Sequence, residues 1–392
     1  MASSESEIVQ WIAKQGLQGS SLPALLDGLS RKLAEGGMQL WRSYLALPTV
    51  NPLFRVVNST WRQGVAAVQE TISHEQSPTA FGESPFGSMQ REGQETRRWR
   101  LEEPGGDGGF TILADFKKAG ATDHFASLLA FQNEDVPSLP GLVISFTTDR
   151  LGGFTDEELA MLGRISPLVG VAAYRIALLD LAANMLDTYV GMSAGRRVLN
   201  GEIRRGVGET IYAALLFADL RGFTSLADTM PAEQLIGRLD EHFDAMAEPV
   251  AARGGEVLKF MGDGLLAVFH IPAQDGSPEA ACAAAVAAAE EALSRNRAVN
   301  ERHAAEARLD LDIGLHLGEV FYGNIGSGSR LDFTVIGPAV NEASRMEALC
   351  GRLDTSLVLS RNFAEACGRD VRSLGRHALR GLSDQRELFT LA

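Results

Sequence analysis

The sequence predicts a mixed α/β chain, and three observations carry that reading. Beyond about residue 208, apolar runs of strand length alternate with helical stretches, the pattern of helices packed on a sheet. Within that region EVLKFMGDGLLAVFH holds two alternating segments around Gly-Asp-Gly, an antiparallel hairpin, so the sheet is mixed. Composition also divides the chain. All four tryptophans (Trp11, Trp41, Trp61, Trp99) lie in the first hundred residues, and all three cysteines lie beyond 280.

In the N-terminal part, residues 5–46 have helical spacing, with Leu22, Leu25, Leu26, Leu29 and Leu33 on one side. The stretch 75–108, with QSPTAFGESPFGSM and EEPGGDGG, is rich in turn residues and is expected to be loop. FTILADF (110–116), SLLAFQN (127–133) and LVISFTTD (142–149) are expected strands. One long helix is expected over about 154–187. Thr155 is its N-cap, Glu158 completes a capping box, and Pro167 is a candidate kink. GMSAGRRVLNGEIRRGVGE (191–209) reads as a connector. The expected organisation is an N-terminal α+β domain at 1–190, a connector at 191–208 and a second domain at 209–392.

In that second domain IYAALLFADL is a buried strand. TSLADTM and PAEQLIGRLDEHFDAMAEPVAARGG are helical and end in glycines. An Ala-rich helix spans 277–306, followed by strands LDIGLHLGEVFYG and LDFTVIG. PAVNEASRMEALC is a helix, SLVLS a strand, RNFAEACG a helix, and RHALRGL and RELFTL are two closing strands.

Length and charge narrow the function. A chain of 392 residues is enough for two or three domains. A formal charge of −14 argues against nucleic acid or an anionic membrane as the main partner. MASSESEIV lacks the basic and apolar parts of a signal peptide, and no run reaches the ~18 apolar residues of a membrane span. Cys282, Cys350 and Cys367 have no metal-ligand spacing, so reduced thiols and a cytoplasmic location are expected.

The chemistry-bearing stretches are FADLRGFT (217–224) and EVLKFMGDG (256–264). Asp219 stands at the exit of an apolar strand, and the residues after it open a helix whose unpaired N–H groups favour an anion. Taken alone, Asp219 serves equally as a helix cap, and Asp263 as a hairpin-turn residue. Together, two carboxylates at strand ends can share one sheet edge, where oxygen-ligand cations could link them to a triphosphate. His303 and His316 have no further ligand near them in sequence. GSGSR (326–330) is followed by no P-loop lysine and reads as a loop.

FADLRGFT, EVLKFMGDG, DIGLHLGEV and FTVIGPAVNEASRME, in that order and spacing, resemble the catalytic domain of class III nucleotidyl cyclases. The likeness covers about 208–391. It implies a ferredoxin-like core that works as a head-to-tail homodimer, with active sites between subunits. It also implies two Mg²⁺ or Mn²⁺ ions per site, held by Asp219, Asp263 and the carbonyl of Leu220. One would activate the ribose 3′-hydroxyl, and the other would neutralise the triphosphate. Gly222, Phe223 and Thr224 would hold phosphates through their amides. Lys259 and Thr334 would read an adenine edge, with Asp332 a rival contact. Asn341 and Arg345 would come from the partner subunit to orient ribose and stabilise the transition state. Arg380 falls where many members carry a phosphate-binding lysine, and Pro338 departs from a common aspartate.

SFTTDRLGGFTDEELAMLGRISPLVGVAA is similar to the last strand and helix of GAF-like sensor domains, which implies a pocket for a small-molecule or protein signal. Enforced dimerisation is the alternative role. The combined expectation is an adenylate cyclase converting ATP to 3′,5′-cyclic AMP and pyrophosphate under N-terminal regulation. Alternatives are a guanylate or mixed-specificity cyclase, and a non-catalytic nucleotide-sensing or assembly module.

Overall fold

The computed structural model describes residues 4–392 apart from 20, 76–78, 132–138, 273–275, 305, 329 and 383. Parts of five expected segments therefore lie outside the described residues: 20 of the helical stretch 5–46, 76–78 of the loop at 75–108, 132–133 of the strand at 127–133, 305 of the helix at 277–306, and 329 of the loop at 326–330. The chain divides into two compact units, Met1–Asn184 and Met185–Ala392.

The first unit opens with two helices, α1 (Glu5–Gln18) and α2 (Leu22–Glu35). Ser4 and Glu7 form a capping box on α1, and Ser21 caps α2 ahead of its proline. Three strands follow: β1 (Arg42–Pro48), β2 (Phe54–Arg62) and β3 (Val65–Ser73). Next come α3 (Thr79–Gly82), α4 (Pro85–Glu92), β4 (Thr96–Arg100), α5 (Thr111–Lys118), β5 (Asp123–Ala130), β6 (Gly141–Thr148) and the long α6 (Asp156–Tyr189). The strands form one antiparallel sheet in the order β3-β2-β1-β6-β5-β4. One face carries Leu45, Phe125, Ile144 and Phe146 and packs on α1, α2 and α6. Both halves of the expected capping box on α6 form, with Thr155 N–H donating to Glu158 at 2.7 Å and Glu158 N–H to Thr155 Oγ1 at 3.2 Å.

Four expectations for this unit are corrected. The helical run ends at Glu35, and Arg42 opens a strand. The expected loop over 75–108 contains α4 and β4. Ser84 caps α4 and Gly93 ends it at φ +66°, so these turn residues are helix punctuation. β4 is a sheet-edge strand of mostly charged residues with Trp99 buried, which leaves no alternation to read. FTILADF is helical: Leu113 and Phe116 are buried at helical spacing while Ile112 is exposed, and Phe110 supplies no side-chain cap. Helix α6 is also apolar enough over an 18-residue window to cross a membrane, with mean hydropathy 1.5. Its Leu162, Ile165, Val169 and Ile176 are core residues of this unit.

The second unit contains α7 (Met192–Leu199), β7 (Gly208–Arg221), α8 (Phe223–Ala227), α9 (Ala232–Ala252), β8 (Glu256–Met261), β9 (Gly264–His270), α10 (Pro278–Arg302), β10 (Asp310–Gly326), β11 (Leu331–Ile336) and α11 (Pro338–Glu347). A 3₁₀ turn at Cys350–Leu353, β12 (Leu357–Ser360), α12 (Arg361–Ala366), β13 (Val371–His377) and β14 (Arg386–Leu391) complete it. The sheet order is β13-β14-β12-β10-β7-β9-β8, with β11 beside β10. Among the described residues only the β10–β12 ladder is parallel, so the sheet is mixed as expected. The penultimate strand is β13 at 371–377, upstream of the expected RHALRGL. It is an edge strand whose residues are largely exposed, so no buried face marks it.

Alternation along β7 sets up the site. Ala214, Leu216, Ala218 and Leu220 pack with α9, α10 and α12. The other parity carries Ala213, Leu215, Phe217 and then Asp219, toward α11 and β11. Helix α11 comes close to β10 because Gly314 and Gly318 lie beneath it. A Cβ on Gly314 would stand 2.8 Å from the Ala343 carbonyl, and one on Gly318 would stand 2.9 Å from Ala339 Cβ.

Candidate active site

Asp219 is half-buried near the end of β7, and Asp263 is in the β8–β9 turn, where Gly262 takes φ +65°. Burial raises the carboxyl pKa of both. Asp219 is pushed up to about 6, by burial first and then by Asp263 and Asp312. The two predicted carboxylates therefore share one sheet edge. The Leu220 side chain is buried in the opposite core, which leaves its backbone as the possible contact. Gly222, at φ +94°, makes the turn into α8 and brings Phe223 and Thr224 to that helix's first turn.

Three charged residues unexpected from the sequence surround this edge. Asp312 lies opposite Asp219 across the β7–β10 ladder. Arg221, two residues beyond Asp219 on the same face, pairs with Asp312 through Nε at 2.9 Å and Nη2 at 2.5 Å. Glu347, on α11, is buried. Its pKa is pushed up to about 8 by burial, then by Asp219, Asp312 and Asp263, with Arg221 opposing. The signals were an acid in an apolar strand (LDIG) and an acid next to Met346 on the buried face of a helix. Neither is distinctive until α11 docks.

Lys259 on β8 lies opposite Leu266, which lies opposite Phe217, so it shares the sheet face of Asp219. Its ammonium is 3.6 Å from Asp332 Oδ2 on β11. Thr334, two residues further along β11, is buried, and its hydroxyl has no partner among the described residues. Asp332 is thus the residue Lys259 meets in this chain.

Asn341 and Arg345 are four residues apart on α11. Arg345 is not among the charges acting on Asp219 or Glu347. Arg345 Nη2 would instead be 3.5 Å from a Cβ placed on Gly381, next to the exposed Arg380. One chain therefore gathers Asp219, Leu220, Asp263 and the Gly222 turn at one place, and Arg345 with Arg380–Gly381 at another. His316 is a buried core histidine, and His303 pairs with Glu241 and Glu306.

Among the described residues, no three His, Cys, Asp or Glu side chains form a metal-ligand cluster. Two carboxylates and a carbonyl nonetheless suit hard, oxygen-ligand cations. Among the described residues Asp219 has no cationic side chain paired with it, since Arg221 is engaged by Asp312. The donor set fits Mg²⁺ or Mn²⁺.

Residues 209–385 match the model of the adenylate and guanylate cyclase catalytic domain. This segment belongs to the class III nucleotidyl cyclase family. The cyclase segment is 30% identical over 177 residues to an adenylate cyclase of Anabaena cylindrica, covering 44% of this chain and 34% of that protein. It is 31% identical over 177 residues to adenylate cyclase 1 of Rhizobium meliloti, covering 44% and 26%. The chain thus spans about a third or less of these curated relatives. Among solved structures, the adenylyl cyclase CyaB from P. aeruginosa aligns at 25% identity and TM-score 0.44, over 47% of this chain and 96% of that one.

Proposed function

We propose that the cyclase unit converts ATP to 3′,5′-cyclic AMP and pyrophosphate, that a second copy of the chain completes its active site, and that residues 1–190 regulate it. The observation that carries this reading is the half-buried pair Asp219 and Asp263 on one sheet edge beside the Gly222 turn. Two Mg²⁺ or Mn²⁺ ions bound there would supply Lewis acidity toward the ribose 3′-hydroxyl and the triphosphate. Asp219, Asp263 and the Leu220 carbonyl would hold them. Amides from Gly222 to Thr224 would meet phosphate oxygens.

Lys259 would donate to adenine N1, and the unpartnered Thr334 hydroxyl would accept from the N6 amine. Asn341 would orient the ribose. Arg345 would offset charge growing at the α-phosphate, with Arg380 nearby on the leaving phosphates. The placing of Arg345 beside Arg380–Gly381, and not among the charges acting on the carboxylates, supports head-to-tail pairing of two chains. Exposed Leu168, Val171 and Leu179 on α6 support pairing along that helix.

The test is purified full-length protein with Mn²⁺ and either ATP or GTP, with cyclic product resolved by chromatography. Cyclic AMP should dominate, and Asp219→Ala or Asp263→Ala should lower it on the order of 100-fold or more. Undiminished product in both variants would remove the reading. The engagement of Lys259 by Asp332 favours one second reading, mixed base preference, which the GTP arm tests. No product from either nucleotide would leave a non-catalytic module.

A further inference from the structure

Helix α11 carries an acid beside its arginine. Glu342 and Arg345 are three residues apart, so their side chains share one flank of the helix. The helix is fixed in rotation, because Ala339, Ala343 and Met346 are buried, Ala339 resting on Gly318 of β10 and the Ala343 carbonyl on Gly314. An acid and a cation at this spacing ordinarily pair. Here they do not. Glu342 Oε1 is 3.3 Å from Arg386 Nε on β14, and among the described residues no carboxylate pairs with Arg345. The Arg345 guanidinium rests against bare backbone between β13 and β14, where Gly381 has φ +76° and a Cβ would stand 3.5 Å from Arg345 Nη2.

Burial decides how much this choice of partner matters. The Glu342 side chain is 16% exposed, against 43% for Arg386. A carboxylate so far removed from water, left alone, takes the nearest cation. Glu342, His316 and Arg386 line one cleft, together with Arg361 and Arg376. Those last two are engaged, Arg361 by Glu387 and Arg376 Nη2 by the Gln385 carbonyl at 3.2 Å. His316 is buried, and burial lowers its pKa, with Glu342 opposing and Arg386 adding, so it stays neutral beside the pair. Arg386 is therefore what satisfies Glu342 in this chain.

We infer that Arg386 is a positioning residue for the cyclisation: by holding Glu342 it keeps the Arg345 guanidinium unpaired and available to the α-phosphate. The inference rests on the proposed function, in which Arg345 serves the transition state. Without Arg386, Glu342 captures Arg345 along the helix flank, which draws the guanidinium from the substrate and offsets its charge. Arg386 itself touches no reacting atom. A strut that merely braced β14 against α11 would be broken equally by removing either partner. A holder of Glu342 behaves differently, because only loss of the arginine does harm and loss of the acid as well undoes it.

Wild type, Arg386→Gln, Glu342→Gln, the double variant and Arg345→Ala are compared as full-length proteins, by steady-state kinetics with Mn²⁺ and ATP and by thermal unfolding. Arg386→Gln should lower kcat by about 5-fold or more, since a partly buried pair is screened less than an exposed one. Its KM should stay within ~2-fold of wild type, the signature of an interaction made in the transition state. Glu342→Gln and the double variant should each keep at least about half the wild-type kcat, because no carboxylate remains to take Arg345. An undiminished kcat in Arg386→Gln overturns the inference. So does a double variant as slow as Arg386→Gln, a Glu342→Gln as slow as either, or a failure to fold in Arg386→Gln that the second substitution does not repair, each of which makes the pair a strut. Failure of the underlying reading looks different: wild type forms no cyclic product, or Arg345→Ala runs at the wild-type rate, and the inference then falls with it.

Discussion

Gly264 lies so close to Asp219 that a Cβ there would stand 2.7 Å from Asp219 Oδ1, and closer still to the Ala218 carbonyl oxygen. The second glycine of Met-Gly-Asp-Gly is therefore a matter of space, since Gly262 and not Gly264 takes the positive φ. The carboxylate of one strand occupies the volume that a side chain on its neighbour would need.

Gly264→Ala should push β7 and β9 apart at the level of Asp219. Overpacking of this kind costs roughly 1–3 kcal/mol. A lowered unfolding temperature, together with cyclic nucleotide output cut at least ~10-fold, is expected from calorimetry and the chromatographic assay. Gly262→Ala would strain the turn without touching Asp219, and should cost stability more than it costs metal dependence.

Glu347 predicts a pH-dependent stability. Its folded pKa of about 8 lies above its ordinary 4.5, so the fold prefers the protonated acid. The resulting stability is fully present below pH 4.5 and is lost as pH rises toward 8 and beyond. Glu347→Gln imitates the protonated form. It should unfold at the same temperature as wild type near pH 4 and at a higher temperature at pH 9. Asp219 adds a metal effect: below about pH 6 it holds a proton, so cation affinity should drop as pH falls through that value. Titrations of Mn²⁺ between pH 5 and 8 check this.

Lys259 is held by Asp332 and shares a face with Asp219, which makes it the natural reader of the base. Lys259→Glu sets two acids side by side and removes the donor. The value of kcat/KM for ATP should fall by ~10-fold or more, with GTP affected less. Equal losses for both nucleotides would mean that the base is read elsewhere.

Arg345 and the carboxylates occupy separate places in one chain, so complementation can test the dimer. Asp219→Ala and Arg345→Ala should each be inactive. Co-expressed, half the dimers would be mixed, each with one intact site, and activity should return to about a quarter of wild type. No recovery would mean that each chain is self-sufficient or that the assembly is different.

Tyr322 is fully buried, and its hydroxyl donates to Glu256 Oε2 at 3.1 Å and lies 3.2 Å from Ser193 Oγ on α7. Arg197, also on α7, stacks over the Tyr322 ring at 5.1 Å. Tyr322→Phe should lower stability by about 1–2 kcal/mol, read as a shifted denaturant midpoint.

Local chemistry decided much of this protein. The parity of FADLRGFT sends Asp219 away from the α9–α10 core, Thr155 and Glu158 cap α6, and Gly-Asp-Gly turns the β8–β9 hairpin. Each of these depends on neighbours a few residues away, so each was legible in the linear chain. FTILADF misled because a seven-residue apolar run carries too few turns to separate helix from strand. β4 and β13 hid because edge strands can be polar. Only the tertiary structure decided that Arg221 belongs to Asp312 and that Glu347 comes to rest among three other acids. Such pairings join residues far apart in sequence, and their energies depend on burial, which no local pattern records.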